Sequence, residues 1–234
     1  MLSEHIFKQY DAELEAVRAK VLEMGALVEQ QIIEALESLL SGNLKLAKSV
    51  IKKDHLVNGL EVQVDEDCSH IIARRQPTAG DLRMVLMMIK TITDLERIGD
   101  EATKIARFAL KASESTQKLT PRFVEIKAMA STARNMLHMA LDAFARSDAT
   151  KVIAIARMDE EVDEQYQAAI RQLITFMLED PRTISISLEV LFLAKAVERI
   201  GDHAKNISEY VVYMVKGKDV RHISMEEMEE TAKD

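Results

Sequence analysis

Five residues, Glu96-Arg97-Ile98-Gly99-Asp100, return unchanged as Glu198-Arg199-Ile200-Gly201-Asp202, an offset of 102 residues. The likeness continues on both sides. Ala102, Ile105 and Phe108 meet Ala204, Ile207 and Tyr210, while Leu86 and Ile89 meet Leu188 and Leu191. A fixed internal period constrains the architecture before any local reading does, because each copy has to fold into the same unit. The 234-residue chain therefore reads as two halves sharing a long interface.

The units are helical. Seven Gly, three Pro, no Trp and 4% aromatic residues suit sheets poorly, and the good helix formers Ala, Leu, Met, Glu, Lys and Arg dominate. Apolar residues recur at helical spacing from about 7 to 40, through Leu14, Val17, Val21, Met24, Val28, Ile32, Leu36 and Leu39. Ser41-Gly42-Asn43 supplies a stop and a new cap. A second helix follows over about 44–74, with Val50, Val57, Leu60, Val64, Cys68 and Ile71 on one stripe. Pro77 breaks it, and a third runs from Asp81 to about Ala112.

The second unit repeats this plan. A linker at 113–117 leads to Pro121 in the first turn of the fourth helix, which ends near Arg146. The fifth covers about 149–178, and Pro181 separates it from the sixth, which ends at Gly217. Each helix is roughly 30 residues, or about 45 Å. The expected fold is all-α: two tandem pseudo-symmetric three-helix bundles over 1–117 and 118–217, and a loose acidic tail over 218–234.

A net charge of −8 and a pI near 5.4 argue against a nucleic-acid binder, which needs a basic face. The single cysteine, Cys68, excludes an internal disulfide framework, suits a reducing compartment and falls on the apolar stripe as core filler. The first residues lack a basic region followed by an apolar core, and nowhere do 18 apolar residues run together. The expectation is a soluble, cytoplasmic protein.

Glu96 and Asp100 are four apart and share a helix face, on the shoulder of the stripe through Val85, Met88, Ile92 and Leu95; Glu198 and Asp202 do the same around Ala194. The preceding helix carries a matching pair in each unit, Asp159/Asp163 in the second and Asp54/Asn58 in the first. Folding each hairpin at its proline brings Asp54 level with Asp100 and Asn58 level with Glu96, both pairs being centred on position 77. The same operation near Pro181 sets Asp159 against Asp202 and Asp163 against Glu198. Carboxylates gathered at one height repel one another, and protonation, a basic partner or a cation relieves them. Hard oxygen ligands suit Mg²⁺, Mn²⁺, Ca²⁺ or iron, and helical bundles build polynuclear sites from inward carboxylates. The plainer alternative is a solvated charged shoulder, with Arg97, Arg199 and Lys104 alongside.

Gly99 and Gly201, in mid-helix, imply a close backbone approach. Asp67-x-x-His70 is half of a di-iron pattern with no second copy, and there is no Ser-His-Asp logic, phosphate loop or zinc spacing. Arg74, Arg75 and Arg83 form a basic spot at the first hairpin tip, suited to an acidic partner surface or simply solvated.

These residues resemble the PhoU family. The likeness is carried by Arg74-Arg75-Gln76-Pro77, Asp81-Leu82-Arg83, Asp94 to Glu101, Leu178 to Arg182 and Val197 to Ile207, and it spans nearly the whole chain. The resemblance implies a cytoplasmic, non-catalytic regulator, often a homodimer. It would link the ATPase subunit of a phosphate ABC transporter to a membrane sensor histidine kinase of the PhoR kind, meeting the membrane only through these partners. It would repress the phosphate regulon when phosphate is plentiful. Some members bind polynuclear metal, and the implied ligands are Glu96, Asp100, Glu198, Asp202, Asp159, Asp163 and Asp54, with iron, zinc, manganese or magnesium as candidates. Asn58 departs from the motif and weakens the first site. Two further readings stand beside the adaptor: a metal-dependent carboxylate-bundle enzyme or metal store, and a purely structural helical protein.

Overall fold

The computed structural model describes residues 2–114 and 123–233; Ser113 and Glu114 of the expected linker are helical rather than linker, and 115–117 and Pro121 lie outside the described residues. Six long helices carry the fold: α1 (Leu2–Ser41), α2 (Leu44–Arg75), α3 (Ala79–Glu114), α4 (Phe123–Arg146), α5 (Val152–Glu179) and α6 (Ile184–Lys216). A short helix, α7 (Met225–Lys233), follows. Each of the first two triplets packs all three of its helices together, and α3 then lies along α6, with α1 touching α4. The pairs Asp94–His203, Glu101–Arg199 and Lys111–Glu189 run in opposite senses along the two chains, so α3 and α6 are antiparallel.

Local chemistry explains the breaks. Gly42 takes φ +69, and the Asn43 side chain accepts the Leu46 N–H at 3.2 Å, which starts α2. Gln76 closes α2 in the left-handed region, its N–H donating to the Ile72 carbonyl. Asp180 accepts the Arg182 N–H ahead of α6, where Pro181 opens a 3₁₀ turn that needs no N–H from it. Gly217 ends α6 at φ +72.

The apolar stripe reads through as expected. Leu14, Val17, Val21, Met24, Val28, Ile32 and Leu39 are buried, and one continuous core joins both repeats. Cys68 lies inside it, and burial pushes its thiol up to about 12, so it is inert filler. Arg18 ties α1 to the end of α4 by donating to the Phe144 and Ala145 carbonyls at 3.2 and 2.5 Å. Among the described residues no helix is long and apolar enough to cross a membrane.

The tail departs from expectation. Residues 218–234 were expected to be loose, yet α7 folds back and buries Met228, Thr231 and Ala232 against Ala149, Val152, Ala156, Val212 and Val220. Its start is a capping box: the Glu227 N–H donates to Ser224 Oγ, and the Ser224 N–H donates to Glu227 Oε2. A reciprocal cap and an apolar edge outweigh the acidic composition that suggested disorder.

The glycines of the repeated motif are not equivalent. A Cβ on Gly201 would make ordinary contact with Met136 Cε at 3.5 Å, whereas one on Gly99 would crowd Gln31 Oε1 at 3.0 Å. A Cβ on Gly25, in α1, would meet Leu141 Cδ2 at 2.5 Å, inside any tolerable contact. Gly201→Ala should therefore raise stability by about 0.5–1 kcal/mol through helix propensity. Gly25→Ala should lower it by about 1–3 kcal/mol through overpacking. Urea titrations of the two variants against wild type check both signs.

Candidate metal centre

The motif helices α3 and α6 each present their acids toward the preceding helix of the same repeat. Asp54 Oδ1 lies 3.6 Å from the position of a Gly99 Cβ, and Asp159 Oδ1 lies 3.8 Å from that of Gly201. Both distances are ordinary contacts, and they set Asp54 of α2 and Asp159 of α5 at the height of the motif, as the fold at each proline requires.

The second repeat gathers its acids tightly. Asp163, Glu198 and Asp202 each offer a carboxylate oxygen within 4.8 Å of the others. Burial raises Asp202 to about 6, helped by the charges of Glu198, Asp159 and Asp163 and opposed by Lys195. Asp163 is raised as well, by burial and then by Asp159. Two lysines partly balance the group: Lys195 Nζ bonds Glu198 Oε1 at 2.5 Å, and Lys205 Nζ bonds the buried Asp159 at 2.7 Å. Burial works against the Lys195 and Lys205 ammoniums, yet these carboxylate bonds win and hold both above their ordinary range. Four carboxylates against two ammoniums leave the cluster anionic. Glu198 Oε2 is buried with no hydrogen-bond partner among the described residues.

The first repeat is looser. Asp100 and Asn58 are exposed and Glu96 is half-buried. Burial raises Glu96, with Asp100, Glu61 and Asp54 adding repulsion that Arg97 eases. Asp54 accepts a 3.2 Å bond from Gln31 Nε2 of α1. Glu61 was not anticipated. It lies seven residues beyond Asp54 and is itself raised, by burial and Asp65. The matching position in the second repeat, at the 105-residue offset relating Asp54 to Asp159, holds Tyr166. The first repeat therefore loses a carboxylate at Asn58 and regains one at Glu61, a helical turn away.

The scan against family models matches the PhoU domain twice, over residues 21–109 and 126–211. The chain belongs to the PhoU family. Both motif copies and both acidic rungs fall inside the matched segments. The PhoU homologue of Pseudomonas putida, named a phosphate-specific transport system accessory protein, is 47% identical over 228 residues, covering 97% of this chain and 88% of that protein. The accessory protein PhoU of Escherichia coli K12 is 46% identical, covering 97% and 94%. The crystal structure of PhoU from Pseudomonas aeruginosa superposes with a TM-score of 0.84 at 44% identity, covering 89% of this chain and all of that one. The phosphate transport system regulatory protein PhoU of Streptococcus pneumoniae gives 0.82 at 30% identity, covering 90% and 99%.

Within this PhoU fold the three tip arginines do not act as one patch. Arg75 is held by Glu13 of α1 through bonds of 2.9 and 2.6 Å. Arg83 turns its guanidinium toward Gly217 at the end of α6, and Arg74 alone is exposed. The motif's neighbours also pair differently from expectation. Lys104 bonds Glu101 at 3.0 Å, not Asp100, and Arg199 reaches across to the same buried Glu101 at 3.3 Å. His70 is exposed beside the expected half-motif and has no role in the acidic rungs.

Proposed function

We propose that this chain is a non-catalytic regulator of phosphate uptake. It works in the cytoplasm as a homodimer, couples the ATPase subunit of a phosphate ABC transporter to a sensor histidine kinase, and keeps the phosphate regulon repressed while phosphate is abundant. The observation that carries the reading is the near full-length identity, 46–47%, to proteins named as accessory components of phosphate-specific transport. Deletion in the parent bacterium should switch on a phosphate-starvation promoter fusion in phosphate-rich medium, by roughly tenfold or more for a lost repressor. Unchanged output refutes the regulatory role. Retention of the transporter ATPase on immobilised protein checks the partner separately.

The acidic rungs hold a hard cation in this reading, with iron, zinc, manganese or magnesium as candidates. Oxygen ligands bind such ions at about 2.0–2.6 Å, so donor oxygens lie no further apart than roughly twice that. Asp163, Glu198 and Asp202 bring oxygens within 4.8 Å of one another, close enough for side-chain rotation to close them on an ion, and the partnerless Glu198 Oε2 supplies a free donor. Asp159 completes the second site. Asp54, Glu96 and Asp100 form the weaker first one. Elemental analysis of purified protein should show metal that falls at least about twofold in Asp100→Ala/Asp202→Ala, as loss of ligands from each site requires. Equal content in the two proteins would refute the proposal.

A further inference from the structure

The antiparallel α3–α6 seam makes two related clefts, one on each side of the pseudo-symmetry. The first encloses about 430 Å³ between Lys104, Arg107 and Lys111 of α3 and Lys195 and Arg199 of α6. Its acids are Glu101 and Glu189. Five cations against two carboxylates stand out on a chain whose net charge is −8. The volume lies within the range of small-molecule pockets, about 300–1,000 Å³.

The related cleft acts as an internal control. It is lined by Lys90, Glu209, Tyr210, Tyr213, Asp219 and Arg221 among others, with two cations and two acids. At the 102-residue offset, Arg107 corresponds to Glu209, Lys111 to Tyr213 and Lys104 to Asn206. Helix packing at this seam therefore accepts an acid and two neutral side chains. Lys104 and Lys111 pair with Glu101 and Glu189, whereas Arg107 answers no carboxylate among the described residues.

The cations are also arranged. Positions 104, 107 and 111 face 195 and 199, each row stepping by three or four residues along its helix. The buried Glu101 carboxylate orders Lys104 and Arg199 from below, and Glu189 holds Lys111. Arg107 is exposed and has no carboxylate partner among the described residues. Phe108 closes the floor, and Phe192, 68% exposed, stands at the rim.

We propose that this cleft binds a small phosphorylated metabolite of nucleoside-diphosphate size. Its phosphates lie between Arg107, Lys111, Lys195 and Arg199, and its planar base lies on Phe192. Guanidinium groups suit phosphate because they donate in a planar fork, and an exposed aromatic ring gives an apolar platform for a base. The site shares Lys195 with the second acidic rung, where that ammonium bonds Glu198, and it does not depend on the regulatory role proposed above.

The chain lacks tryptophan, so binding of N-methylanthraniloyl-ADP to the full chain can be followed by fluorescence anisotropy without background from it. ADP, AMP, adenosine and pyrophosphate serve as competitors, with EDTA present to exclude metal bridging. Binding that weakens with salt and falls at least about tenfold in Arg107→Glu/Lys111→Tyr is expected, since two charged donors are lost. These substitutions copy the second repeat, so the variant should melt near wild type and its loss of binding reports on the cleft. ADP competing better than pyrophosphate, with the difference lost in Phe192→Ala, identifies a nucleotide; equal competition identifies polyphosphate as the source of the same chemistry. No binding, binding indifferent to Arg107→Glu/Lys111→Tyr, or capture of a hexaglutamate peptide in place of ADP would overturn the proposal.

Discussion

Alanine in place of Asp94 should cost the fold about 1–3 kcal/mol, the expected penalty for leaving buried polar groups without their hydrogen-bond acceptor. Asp94 is 3% exposed, on the face of α3 that meets α6. Its Oδ1 accepts from His203 Nδ1 at 2.6 Å and from Asn206 Nδ2 at 3.4 Å. The Tyr210 hydroxyl bonds the same carboxylate, and burial together with that acid keeps the phenol well above its ordinary range. Three polar groups of α6 thus converge on one acceptor of α3, in the seam that joins the repeats. Removing the acceptor strands all three, whereas replacing both partners by apolar groups is far cheaper. Asp94→Ala/His203→Leu should therefore recover the His203 share of the loss seen in Asp94→Ala, with Asn206 and Tyr210 still unpaired. Urea unfolding followed by far-ultraviolet circular dichroism measures both; a single-variant loss below about 1 kcal/mol would remove this cluster as the clamp between repeats.

That clamp was not legible in the sequence, and the reason is physical. The repeat fixes what is common to the two halves, and the clamp is what differs: at the 102-residue offset Asp94 corresponds to Ala196, and His203 to Glu101. Periodicity finds the buried stripe of each helix but not which stripe meets which across a seam. The bundle itself was legible because helix formers, three interhelical prolines and the stripes from Leu14 to Leu39 all agree. The heights of Asp54 and Asp159 were legible too, since an antiparallel hairpin creased at a proline leaves one register. The lysines were harder. Lys195 and Lys205 turn inward to Glu198 and Asp159, while Arg199 turns to Glu101, and a long flexible side chain's direction is set by its neighbours. For α7, a usable signal was present in Ser224-x-x-Glu227 followed by Met228 and Ala232.

The acidic rungs give the second large effect, and its sign follows from burial. Asp202 sits at about 6 in the folded chain against 3.8 for an unperturbed aspartyl group, through burial first and the charges of Glu198, Asp159 and Asp163 next, with Lys195 opposing. The folded state binds this proton more tightly than the unfolded one. The stabilising contribution is therefore complete below about 4 and is lost as pH rises through about 6. Glu209, raised to about 7 by burial, adds in the same direction despite Lys205. Metal-free protein should accordingly be more stable at pH 5 than at pH 7.5, by about 1 kcal/mol or less for Asp202 after solvent screening is allowed for. Asp202→Asn, which cannot ionise, should show a smaller pH dependence and a higher melting temperature than wild type at pH 7.5. A bound cation reverses the balance, because it favours the ionised carboxylates that the empty cluster disfavours. Added Mn²⁺ should therefore raise the wild-type melting temperature more at pH 7.5 than at pH 5, where protons compete for the same oxygens. The shift should shrink in Asp202→Asn to what the weaker first site supplies and vanish in Asp100→Ala/Asp202→Ala. A shift of equal size at both pH values, or one that is undiminished in Asp202→Asn, places the cation somewhere other than between Asp163, Glu198 and Asp202.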